Sequence, residues 1–123
     1  MPDFDRDPLQ WSLTYLRENE GLYAAFRAEM DRRMQATRSR VHGGQQVLDD
    51  LRRQGIQVRA NNNAAALFAR LYISERPQYK DRVKRRRSVL DQLEPEAKWQ
   101  LANAAKQIAE GRPSEQRGLF ELR

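Results

Sequence analysis

The sequence predicts an all-α fold: one domain of five or six short helices over 1–113, followed by a mobile tail over 114–123. Three observations carry this expectation. Apolar residues recur at spacings of three and four through most of the chain. Residues suited to helix starts and stops fall at the ends of those stretches. The 123 residues amount to one domain's worth of chain, enough for a single modest core.

Asp7-Pro8-Leu9-Gln10 begins the first helix. Asp7 suits the cap, Pro8 the first helical position, and Gln10 the third. Leu9, Leu13 and Leu16 form one stripe, with Trp11 and Tyr15 beside it. Asn19 is positioned to cap a second helix carrying Leu22, Tyr23, Phe26, Met30 and Met34, which His42-Gly43-Gly44 is expected to stop. A third helix covers Gln45 to Gln54, with Val47, Leu48 and Leu51 inward and Gly55 as its stop.

Residues 56–59 alternate apolar and polar, which reads as a short strand or an extended connector. Asn61-Asn62-Asn63 then opens a fourth helix bearing Leu67, Phe68, Leu71 and Tyr72. Pro77 bars its simple continuation. A fifth helix is expected from Gln78 to Leu93, with Tyr79, Val83, Leu90 and Leu93 inward, and a sixth from Glu96 to Glu110, with Ala97, Leu101, Ala105 and Ile108 inward. Gly111 and Pro113 end it. The expected core includes Phe26, Leu51, Phe68, Leu71 and Leu101.

Composition narrows the function. Cysteine is absent, which removes disulfides, thiol catalysis and cysteine-ligated zinc. No apolar run approaches the roughly 18 residues of a membrane span. The start, Met1-Pro2-Asp3-Phe4-Asp5, is acidic and has no apolar stretch of the signal-peptide kind. A cytoplasmic protein is the expectation. His42 is the one histidine, so neither a nucleophile–base pair nor a histidine metal site can be assembled around it. Asp49 and Asp50 diverge on a helix, and Glu94 and Glu96 flank a proline. A non-enzymatic protein without cofactor or metal is therefore expected, acting by binding a partner.

Charge suggests which partner. The net charge is +6. Met1 to Glu20 holds two basic and five acidic residues, whereas Arg76 to Arg87 holds seven basic and one acidic. Such concentration suits a polyanion. Arg76, Lys80, Arg82, Lys84, Arg85, Arg86 and Arg87 are the candidate phosphate contacts, on a helix assisted by arginines of the second helix. The plain alternative is a solvated charged face. Asn61 and Asn62 are candidate base readers if the third and fourth helices form a helix-turn-helix. The connector is long for that motif, and asparagines also serve as turns and caps. DNA is the first-choice partner, in an accessory or regulatory role.

The tail offers a rival. Gln116, Leu119 and Phe120 fit the Gln-x-x-Leu-Phe pattern that resembles the segment by which bacterial replication and repair proteins dock on the sliding clamp. The resemblance implies that Gln116 anchors the peptide while Leu119 and Phe120 fill an apolar pocket. A protein-binding adaptor or inhibitor of a host protein is thus the second reading.

Trp11, Leu51-Arg52, Asn62-Asn63, Ala69-Arg70-Leu71-Tyr72, Pro77 and Arg87 fall in an order that resembles small uncharacterised proteins encoded by bacteriophages and prophages. Val83 and Lys84 stand where that pattern has an aromatic pair. The resemblance implies a mobile-element setting and supplies no activity.

Overall fold

The computed structural model describes residues 2–58 and 62–111. The described chain is mostly helical, with five α-helices: α1 (Pro8–Glu18), α2 (Glu20–Ala36), α3 (Gly44–Arg53), α4 (Asn62–Glu75) and α5 (Pro95–Ala109). Two 3-10 helices, Pro77–Arg82 and Val89–Gln92, lie between α4 and α5. A two-residue strand β1 (His42–Gly43) pairs in parallel with β2 (Val83–Lys84), placing His42 opposite Val83 and Gly43 opposite Lys84.

The local rules hold at the start of α1 and at the end of α3. The Asp7 carboxylate accepts from the Gln10 backbone N–H at 3.1 Å, and Pro8 occupies the first turn. Gly55 has φ +92°, a left-handed conformation that costs glycine least. There the Gly55 N–H reaches Arg52 O and the Ile56 N–H reaches Leu51 O, the paired bonds of a Schellman stop. Asn19 departs from expectation. Its side chain caps nothing in α2 and instead donates Nδ2–H to Tyr15 O at 2.9 Å, closing α1.

Three expected elements are corrected. The second helix ends at Ala36, well before His42, because the Thr37 hydroxyl donates to Arg33 O and Arg82 takes up neighbouring carbonyls. Residues 56–58 form no strand, and Arg59 lies outside the described residues. The helix expected over 78–93 is not formed. Its place is taken by a 3-10 helix, the strand β2, a stretch without regular hydrogen bonding, and a second 3-10 helix. That last turn is fixed by Ser88 and Asp91, whose side chains accept reciprocally from Leu90 N–H and Ser88 N–H.

The core lies where α5 crosses α1 and α2 and where α4 packs against α3. Phe26, Leu51, Phe68, Leu71 and Leu101 are all buried, as expected. Gly44, at the start of α3, lets that helix approach α4 closely: a Cβ there would stand 2.9 Å from Ala65 O. Buried and partly buried ion pairs bind the helices. Glu75 of α4 accepts from the Tyr23 hydroxyl and from Arg27 of α2, and Asp31 of α2 accepts from Tyr72 and Arg76. Arg33 joins Glu29 to Asp50 of α3. Burial acts to raise the Glu29 carboxyl, but hydrogen bonds from Arg32 and Arg33 hold it below its ordinary value. No helix among the described residues is long and apolar enough to cross a membrane.

Candidate nucleic-acid interface

The β1–β2 pairing brings together two basic stretches distant in sequence. One is the loop 37–41 with Arg38 and Arg40; the other runs from Lys84 to Arg87. Arg82 fastens the first. Its guanidinium donates to Thr37 O at 2.5 Å and to Arg40 O at 3.3 Å, and stands 5.6 Å from the centre of the Tyr79 ring. Arg70 of α4 fastens the second. It donates to Arg86 O at 2.6 Å and, with two nitrogens, to the Asp91 carboxylate at 2.7 and 2.9 Å. The hydrogen bond from Arg70 leads the causes that hold the Asp91 carboxyl below its ordinary value.

These two arginines are therefore structural pins. What they present is a set of exposed cations: Arg38, Arg40, Lys80, Lys84, Arg85, Arg86 and Arg87. None of these side chains forms an ion pair among the described residues. The backbone is extended at Val83 and at Ser88, on either side of the arginines. An extended chain alternates its side chains, with same-side neighbours roughly 7 Å apart. Residues 85–87, between Val83 and Ser88, belong to no helix, so these cations follow the chain as a comb rather than the ring that a helix would give.

The structure divides the sequence candidates. Lys80, Lys84, Arg85, Arg86 and Arg87 are solvent-facing. Arg76 is bound to Asp31 through two nitrogens at 3.2 and 3.1 Å, and Arg82 is bound to loop carbonyls. Both are engaged inside the molecule. Of the second-helix arginines, Arg27, Arg32 and Arg33 are paired with carboxylates, while Arg38 and Arg40 lie beyond the end of α2. Asn62 is exposed at the first position of α4, roughly 12 Å along the helix axis from Arg70. Asn61, and the tail residues Gln116, Leu119 and Phe120, lie outside the described residues. No group of three or more His, Asp or Glu side chains that could hold a metal occurs among the described residues.

Beside the comb is an open cleft of about 350 Å3 between α4, the 3-10 helices and α5. Leu67, Leu71, Leu90 and Leu101 contribute its apolar lining, and Lys80, Arg85 and Lys98 its cations. The sequence reading gave no part to Arg70 as a pin, to Lys98, or to Trp99, which is 67% exposed. An exposed tryptophan in a helix was the one available signal.

His42 sits beneath the loop, buried, with Nε2 3.3 Å from the Thr37 hydroxyl. Burial first, and then the charges of Arg33, Arg40 and Arg82, push its pKa below the ordinary value. The unfolded chain then binds a proton more readily than the folded one. The stability due to neutral His42 is present above the unfolded pKa of about 6.5 and erodes as pH falls through that value toward the folded pKa. Melting temperature is expected to drop between about pH 7.5 and 5, before most carboxylates titrate. His42→Gln should flatten that part of the profile; an unchanged profile would show that His42 does not cause it.

Comparison of the chain with protein-family models, curated proteins and solved structures gives no match.

Proposed function

We propose that this is a non-enzymatic nucleic-acid-binding protein, with DNA the first-choice ligand and an accessory or regulatory role. One observation carries the reading: two loops, held together by a β-bridge and two internal arginines, expose a cluster of cations without carboxylate partners among the described residues. Arranging such a cluster costs folding energy through self-repulsion, which a polyanion relieves. Phosphates suit it because arginine offers paired donors to their oxygens. The contact set is Arg38, Arg40, Lys80, Lys84, Arg85, Arg86 and Arg87. Arg76 and Arg82 fall outside it because their donors are already engaged. The resemblance to phage-encoded proteins is compatible with this reading and adds no activity to it.

Binding to duplex DNA should weaken steeply as salt rises, since each neutralised phosphate releases counterions. Replacing Arg85, Arg86 and Arg87 together with alanine should flatten the logarithmic salt slope by up to about three units. Arg17→Ala, on the far more acidic N-terminal stretch, should leave it unchanged. Thermal unfolding of the triple variant should stay close to that of the parent, because exposed charges contribute little to stability. An unaltered slope in the triple variant would remove these arginines from the interface. Absence of binding to any nucleic acid at low salt would leave the protein-binding reading as the better one.

A further inference from the structure

We propose that the cleft between α4 and α5 receives an unstacked base of a single-stranded nucleic acid, so that single strands are preferred to duplex. The inference rests on the nucleic-acid reading and sharpens it. The cleft joins an aliphatic floor to a cationic edge, and Asp91, its one carboxylate among the described residues, is already held by Arg70. A ligand matching it has flat apolar faces and carries negative charge beside them. A nucleotide has that form, but in a duplex its base is stacked and paired, whereas a single strand can turn it outward.

Continuity favours this occupant. Arg85 belongs both to the comb and to the cleft wall. A strand whose phosphates follow Lys84 to Arg87 therefore passes the cleft mouth. Trp99 extends the platform. At about 100° per residue it lies roughly 60° around α5 from Ala102, which lines the cleft, on the side turned away from buried Leu101. An exposed indole there offers a stacking face to a neighbouring base.

The test uses the full chain with three probes of about 12 nucleotides: oligothymidylate, an abasic strand of equal length, and duplex. The two tryptophans are Trp11, buried, and Trp99, exposed, so a change in emission on binding reports Trp99. Thymidylate should bind about tenfold tighter than the abasic strand, and quench emission. Ala102→Phe, which narrows the cleft, should remove the preference while keeping the salt slope. The comparison of strands needs no variant, so a misfolded Ala102→Phe does not spoil it.

Equal affinity for thymidylate and the abasic strand, with a steep salt slope, would overturn the base cleft and leave the phosphate interface standing. No binding to any of the three would overturn both. Displacement of thymidylate by an equal concentration of an alternating Leu-Glu decapeptide would assign the cleft to an acidic protein segment instead.

Discussion

Phe68→Ala is expected to destabilise the protein by about 3–5 kcal/mol. Phe68 is fully buried in α4, and its ring lies 5.3 Å from those of Tyr23 and Phe26 and 5.9 Å from that of Tyr15. One side chain thus holds α4 to both α1 and α2. Truncation removes the apolar surface it buries and leaves a void among aromatic rings, which pivot poorly to fill space. Those rings also lose edge and tilted contacts with it, each worth about 0.5–1.5 kcal/mol. In urea the midpoint should fall while the slope stays constant, the signature of a stability change without a change in compactness. A loss under about 1 kcal/mol would mean that the helices close over the gap and that Phe68 is no hub.

That Phe68 is buried was legible because helical spacing puts it on one face with Leu67, Leu71 and Tyr72. Helices α1, α3, α4 and α5 were legible for the same reason, reinforced by Asp7-Pro8 and Gly55. The stretch 78–93 was misleading. Tyr79, Val83 and Leu90 do turn inward, as a helix would require, yet they do so from a bent chain. A helix there would have packed four consecutive cations into about one turn, where like charges repel. Val83, β-branched, takes the extended conformation instead. The Ser88-x-x-Asp91 capping box is a readable local signal that the chain restarts at that point.

The candidate site was half legible. Charge density singled out Lys84 to Arg87, but not which neighbouring arginines join them. Arg76 and Arg82 look like their neighbours in sequence and differ only through Asp31 and the carbonyls of residues 37 and 40, which lie more than 40 positions away. A two-residue parallel bridge leaves no pattern long enough to detect, so the meeting of His42–Gly43 with Val83–Lys84, and of the basic stretches beside them, was invisible. The cleft was hidden for the same reason. Its floor is drawn from α4, the second 3-10 helix and α5, each leucine of which reads as ordinary core when taken alone.

Glu75→Ala should cost about 3–5 kcal/mol, as much as a large cavity, although it removes only a charged side chain. The Glu75 carboxylate is 8% exposed and accepts from Arg27 Nη1 at 2.8 Å and from the Tyr23 hydroxyl. Burial, and then the hydrogen bond to Glu75, raise the Tyr23 pKa far above its ordinary value, so the phenol remains a donor throughout the working pH range. Removing the acceptor leaves that hydroxyl without its partner and the Arg27 charge, only 18% exposed, without its counter-ion. The Asp31 cluster provides the contrast. Asp31 and Arg76 are 27% and 32% exposed, so water can solvate the freed Arg76 charge, and Asp31→Ala, which leaves only the Tyr72 hydroxyl short of its acceptor, should cost less. The triple change Glu75→Leu, Arg27→Met and Tyr23→Phe should recover most of the loss, because apolar groups of similar volume leave nothing charged to desolvate. Urea unfolding of the single, paired and triple variants separates these contributions as a mutant cycle. If Glu75→Ala costs as little as Asp31→Ala, then water reaches the α2–α4 contact and the pair is not a buried tie.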